Sequence, residues 1–430
     1  IKESSMARRV IQVEEKVGLL EGFPLSVQHL FAMFGASILV PTLFGINPAI
    51  VLLMNGIGTL IYLVLCKGKA PAFLGSSFAF ISPVLVVLGA DKSFWGANYG
   101  YALGGFIAAG CVFIIVALII GAFGTDWLKV VLPPATMGPI VALIGLELAG
   151  VAASMAGIIP EGGSYNSKAV IVSMVTLAVA VFGSVMLRGF LSVIPILIAI
   201  IVGYLVALFL GVVDYTPLSK AAVFAMPQFY FPKFDINAII VILPASLVVV
   251  SEHIGHLIVT GRIVEKDLTV DPGLHRSLMG DGISTVISGF TGSVPTTTYG
   301  ENIGVMAITK VYSVWVIGGA AILSILLAFI GKLSGFIQSI PVPVMGGISL
   351  LLFGVIAASG IRMIVEEKVD YSRASNLILS SVVFIVGISG AALNIGHVQL
   401  KGMALATVAG MILSMIFHFI EKMGWVNDAH

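Results

Sequence analysis

Apolar positions in this chain come in unbroken blocks rather than at every second or every third-to-fourth place. Blocks of about 20 residues recur from end to end, and each is long enough as an α-helix to cross a hydrocarbon core of roughly 30 Å. Inside that core each backbone N–H and C=O needs a partner within the protein, so the blocks predict helices. The pattern predicts fourteen segments: 24–44, 48–66, 71–90, 101–122, 134–154, 168–187, 190–212, 238–260, 276–290, 296–309, 312–331, 343–361, 374–392 and 402–421. Segments 71–90, 276–290 and 296–309 are irregular, either short or rich in Gly, Pro, Ser and Thr. The expected fold class is an all-α polytopic membrane protein.

Composition agrees. Of 430 residues, 58% are hydrophobic and 10% charged, whereas an ordinary soluble domain carries about 25% charged residues. A net charge of +1 leaves no basic face for nucleic acid. Cys66 and Cys111 lie in apolar surroundings and suggest neither a disulfide framework nor a metal site. The stretch Met6–Glu15 is polar and the apolar region begins near Gly22, so no cleavable signal peptide is expected, and Met6 is the expected native start. Lys and Arg favour cytoplasmic loops. With fourteen segments both termini share one side, which takes sixteen of the 22 basic residues; the other takes Lys92, Lys168, Lys220, Lys233, Lys332 and Lys401. Residues 1–23 are thus expected as a cytoplasmic N-terminal segment, with the C-terminus on the same side.

The sequence also repeats itself. NGIGTLI (Asn55–Ile61) resembles DGISTVI (Asp281–Ile287), and Leu132–Gly145 resembles Ile340–Gly354 when Met137 is laid on Met345. Each unit holds seven segments, an odd number, so the second enters from the opposite side. Inverted repeats with paired broken elements mark secondary transporters, and the broken pair points to the site. Those elements are GSSFAF (Gly75–Phe80) and TTTYGENIG (Thr296–Gly304), each read as a short strand leading into a half-helix. The two strands meet near the midplane, and each half-helix aims its free N–H groups at a cavity. The alternative is a pair of irregular packing helices.

Intramembrane acids are functional candidates by default, since a charge at the bilayer centre costs at least about 2.5–3.5 kcal/mol. Glu252 and His256 in SEHIGH are four residues apart and share a helix face, while His253 points elsewhere. Glu301 lies in the second broken element. Glu147 is a third acid, ranked lower because no broken helix is expected around it; His29 sits in the first segment. A structural carboxylate pair and interhelical hydrogen bonds from the histidines are the plainer readings. EHIGH has the wrong order for a two-histidine zinc helix, and no phosphate loop or ATPase domain is present, so neither an enzyme nor a cofactor is expected.

ENIGVMAITK (Glu301–Lys310) resembles the signature of the nucleobase–ascorbate transporter family, and Gln28–His29 resembles that family's Gln-His pair. The likeness covers about residues 20–420. Purine-type members usually carry Gln at the place of Glu301; the Glu, with SEHIGH and GSSFAFISP, is similar to the bacterial uracil permeases. The resemblance implies a seven-plus-seven inverted repeat in the bacterial inner membrane, proton-coupled uracil uptake, and often a homodimer. It implies a core domain of segments 1–4 (24–122) and 8–11 (238–331), and a gate domain of segments 5–7 (134–212) and 12–14 (343–421). By the same likeness Glu252 and Glu301 bind the base, backbone amides at Phe78 and Gly300 meet its carbonyls, the rings of Phe78 and Tyr299 flank it, and His256 partners Glu252 in proton coupling. Ser77, His29 and Asn302 stand beside them as supporting residues. A purine or xanthine permease of the same family, an anion exchanger of the same architecture, and a metalloenzyme built on EHIGH are the other readings to be tested.

Overall fold

The computed structural model describes residues 10–160, 164–395 and 398–425; Lys2, Arg8 and Arg9 of the charge count lie outside them. The apolar blocks fold as helices. The first repeat begins with α1 (Leu19–Phe44) and α2 (Pro48–Leu65). Asn47 caps α2 by accepting from the Ala49 N–H at 2.9 Å, and Pro48 fits the first turn, where a missing N–H costs nothing. Strand β1 (Leu74–Ser76), a tight turn at Phe78–Phe80 and α3 (Ile81–Leu88) follow, then α4 (Trp95–Phe123). Next come α5 (Asp126–Val131), α6 (Pro134–Glu147), α7 (Ala149–Met155), α8 (Ser167–Met186) and α9 (Pro195–Phe209). A short α10 (Thr216–Lys220) opens the linker to the second half.

That half contains α11 (Ile236–Val264), α12 (Leu274–Thr291), strand β2 (Thr296–Thr298), α13 (Gly300–Thr309), α14 (Val314–Ala328) and α15 (Gly331–Gln338). It ends with α16 (Val342–Glu366), α17 (Ala374–Ile388), a hairpin of β3 (Ala392–Ile395) and β4 (Val398–Lys401), and α18 (Gly402–Lys422). Among the described residues, eight helical stretches are long and apolar enough to cross a membrane, and four shorter apolar helices lie within expected segments. The chain is a mostly helical, multi-pass membrane protein.

Three expectations change. Segment 276–290 is no irregular element but a regular helix, α12; its Ser277, Asp281, Ser284, Thr285 and Ser288 are all buried, turned toward neighbouring helices and β2. Glu147 does sit at a broken helix: α6 stops there, and Leu148 turns the chain into α7. The break lets the carboxylate reach Ser82 and Met403, both remote in sequence. Segment 374–392 stops at Ile388, and the β3–β4 hairpin takes over the connection.

Helices pack reciprocally. Helix α4 packs on α12 and α14 on α2; α11 packs on α4 and α1 on α14; α8 pairs with α9 and α17 with α18. Exchanging the two repeats turns each pairing into its partner. Between them, β1 and β2 pair antiparallel, Leu74 opposite Thr298 and Ser76 opposite Thr296. The N-terminal stretch is ordered as well: the Ile11 N–H donates to Lys310 O, the Tyr312 N–H to Ile11 O, and the Val314 N–H to Val13 O.

Candidate functional site

The site is built on the two strands. Ser76, Ser77, Thr296, Thr297 and Thr298 are all buried, where an unpaired backbone group costs several kcal/mol. Each three-residue strand satisfies part of its backbone on the other. The Ser77 N–H donates to Pro295 O at 2.9 Å and the Tyr299 N–H to Phe73 O at 3.0 Å, extending the ladder at both ends. Two further N–H groups are met by repeat-related threonines: the Leu74 N–H donates to Thr59 Oγ1 at 2.9 Å, and the Thr296 N–H to Thr285 Oγ1 at 3.1 Å. Thr59 and Thr285 are the same letter of NGIGTLI and DGISTVI, so the repeat legible in the sequence has a defined task. Gly58 and Ser284, one position earlier, face each other so closely that a Cβ on Gly58 would overlap Ser284 Oγ.

Strand β2 delivers Tyr299, Gly300 and Glu301 to the N-terminus of α13, and β1 delivers Ser77 and Phe78 to the turn before α3. The first N–H groups of a helix have no partner inside it, so both ends present donors. The Tyr299 ring lies over Gly75, where any side chain would overlap it. Phe78 meets Phe353 of α16 edge-to-face, centroids 6.2 Å apart. Glu252 stands on α11 with its Oε2 buried and unpartnered among the described residues. One turn on, His256 Nδ1 is hydrogen-bonded to Thr298 Oγ1 at 3.0 Å, and its Nε2 lies 3.4 Å from where a Gly300 Cβ would stand. A narrow crevice is lined by Tyr62, Ala72, His256, Leu257, Thr260 and Thr298. Asn302 Nδ2 donates to His29 O at 3.0 Å and to His29 Nδ1 at 3.2 Å, tying α13 to α1.

His253 faces away from this group. Its Nε2 is 2.7 Å from Ser277 Oγ, which is 2.8 Å from the Tyr62 hydroxyl. The two histidines of EHIGH therefore diverge, and no zinc-binding set forms from them. His253 Nδ1 faces Asp281 Oδ2 at 3.3 Å, and Thr296 Oγ1 donates to Asp281 Oδ1 at 2.9 Å. Asp281 is fully buried and was not singled out as an intramembrane acid. The signal was present: DGISTVI carries a carboxylate at helical depth, but its polarity reads as irregular structure. Phe353 was also missed, being one Phe in an apolar run.

The arrangement combines carboxylate acceptors, helix-end N–H donors and aromatic faces. Such a set suits a small planar molecule bearing both donor and acceptor edges.

The model of the Permease family, the xanthine and uracil permeases, matches residues 21–396. The uracil permease of Escherichia coli (strain K12) is 62% identical over 417 residues, covering 97% of this chain and 96% of its own. That of Paenibacillus larvae subsp. larvae is 60% identical over 427 residues, covering 98% and 100%. That of Bacillus subtilis (strain 168) is 48% identical over 402 residues, covering 91% of each. Among solved structures, the transmembrane domain of the cyanobacterium bicarbonate transporter BicA is similar with a TM-score of 0.61 at 13% identity, covering 96% of this chain and 99% of that one. The murine anion transporter Slc26a9 in its inward-facing state gives 0.71 at 10% identity, covering 98% and 74%. At such identities the likeness is one of fold alone. The family model and the curated relatives are permeases and not enzymes, and the chain belongs to the nucleobase–ascorbate transporter family.

Proposed function

We propose that this protein is a uracil:proton symporter of the plasma membrane. The observation that carries the reading is the 62% identity to a uracil permease over 97% of the chain, and the residue types gathered where β1 and β2 meet their half-helices are compatible with uracil. Uracil is a neutral imide with two N–H donors and two carbonyl acceptors. Glu252 and Glu301 accept from its N–H groups in charge-assisted bonds, the amides at Phe78 and Gly300 donate to its carbonyls, and Phe78 and Tyr299 flank the ring. Ser77, His29 and Asn302 hold these groups in place. Cytosine changes one donor–acceptor edge and leaves a buried group unpaired, at about 1–3 kcal/mol.

Coupling follows from charge. A buried site favours neutral groups, so a proton carried by the Glu252/His256 pair neutralises the loaded site. The reciprocal packing supports fourteen spans in two inverted sets of seven. Residues 24–122 and 238–331 then form a core carrying the site, which moves against a gate of 134–212 and 343–421. Both termini face the cytoplasm, and two copies pair in the bilayer. Proteoliposomes with an inward proton gradient test the reading: they should concentrate labelled uracil, and collapse of the gradient should abolish the accumulation. Competition by xanthine with none by uracil would favour a purine carrier.

The fold shared with BicA and Slc26a9 favours a second reading, anion exchange. Helix-end donors suit an anion, but the carboxylates of Glu252 and Glu301 would repel it. Bicarbonate or chloride flux in the absence of nucleobase would support that reading.

A further inference from the structure

Glu147 has no part in the base site, yet its carboxylate is divided between two helices that the proposed movement separates. Its Oε1 accepts from Ser82 Oγ at 2.7 Å and its Oε2 from the Met403 N–H at 3.1 Å. Ser82 belongs to α3, the half-helix that begins beside Phe78. Met403 lies in the first turn of α18, whose own N-cap, Lys401, contributes no side-chain bond. Gly402 has φ +57°, and a Cβ there would overlap Glu147 Oε1, so the glycine admits the carboxylate as well as the turn. Ser82, Val86, Val241, Gln399 and Lys401 surround the carboxylate in a crevice beneath the β3–β4 hairpin.

Capping α18 accounts for Oε2 but not for Oε1. A cap needs no partner on α3. The opposite face of the molecule supplies a contrast: Arg262 lies 21 residues beyond Val241 on α11, about 30 Å along the helix, and there it meets Glu366 of α16 only at 3.9 Å, both groups partly exposed. The tie on the hairpin side is the shorter and the better buried.

We infer that Glu147 is a positioning residue of the transport cycle: through Ser82 it locks the α3 half-helix against α18 and keeps the hairpin side of the cleft shut. The inference rests on the proposed movement of core against gate. Opening toward the hairpin breaks the Ser82 bond and leaves the Met403 cap in place, so the same carboxylate stays anchored in the gate while it releases the core.

The test uses a reporter, Val86→Cys, in full-length protein carrying Cys66→Ala and Cys111→Ala, and follows its alkylation by a maleimide in detergent with and without uracil. Ser82→Ala removes the core-side bond alone and should raise the alkylation rate roughly tenfold, the population shift that losing one charge-assisted hydrogen bond allows. Ser82→Thr restores the hydroxyl and should return the rate to that of the parent. Glu147→Ala should match Ser82→Ala in rate and also lower thermal stability through the lost cap. An unchanged rate in Ser82→Ala, with uracil still altering the rate, would overturn the latch while leaving alternating access standing. A rate that neither uracil nor any variant moves, in protein that binds uracil, would remove the movement itself and the latch with it.

Discussion

Replacing Glu252 by glutamine keeps the size of the side chain and removes its charge. In the structure Glu252 Oε2 is buried and accepts no hydrogen bond among the described residues, so its contribution to binding comes from the bond it makes to the base. A hydrogen bond to a charged group is worth about 1.5–3 kcal/mol, and each 1.4 kcal/mol is about tenfold in Kd. Glu252→Gln should therefore weaken uracil binding by roughly 10- to 150-fold. The amide also presents an N–H₂ that can face a ring N–H, which places the expectation in the upper part of that range. The assay is equilibrium binding of labelled uracil to detergent-purified protein, with Glu301→Gln measured in parallel and xanthine and cytosine as competitors. A change in Kd of less than threefold, in protein with an unaltered melting profile, would show that Glu252 does not touch the base and would dismantle the donor–acceptor argument.

Gly75→Ala puts a methyl group where the Tyr299 ring lies; the overpacking costs about 1–3 kcal/mol, and if the ring is displaced from the base by that much, Kd for uracil should rise by roughly 5- to 150-fold while membrane levels of the protein hold. Thr59→Val and Thr285→Val each strip one strand N–H of its acceptor; each should destabilise by about 1–3 kcal/mol, and thermal shifts in detergent should be similar for the two. A large effect from one alone would refute the equivalence of the repeats at this point. Asp281→Ala leaves Thr296 Oγ1 and the buried His253 without their carboxylate; thermal unfolding should show a loss of about 1–3 kcal/mol, and an unchanged profile would show that the pair is not structural.

What could be read from the sequence depended on how local the cause was. Helices α2 and α8 lie within a residue of the expected segments because their lengths answer to the bilayer. Glu252 and His256 were legible because spacing on one helix decides which face they share, and the same geometry sent His253 elsewhere. Met137 and Met345, used to align the repeats, fall in α6 and α16, which pack on each other. The misses are nonlocal. Asp281 was hidden by neighbours that are polar because β2 and the surrounding helices cover them. The break after Glu147 depends on Ser82 and on Met403, 256 residues away. No periodicity within ALNI and VQLK announces a hairpin across two residues that carry apolar blocks on both sides.

The pairing of β1 with β2 bears on how the chain is made. Thr296 follows Ser76 by about 220 residues, which at about 5–20 residues per second takes a ribosome roughly 10–45 s to add. For that interval β1 is a strand edge at bilayer depth with no complementary backbone to meet it, a condition the hydrocarbon does not tolerate. The nascent first half must therefore wait in a wetter or protein-lined place, beside the translocon or a membrane chaperone, until the second strand arrives. Truncation after residue 212 should leave a fragment with β1 unpaired, which the cell's membrane proteases should remove.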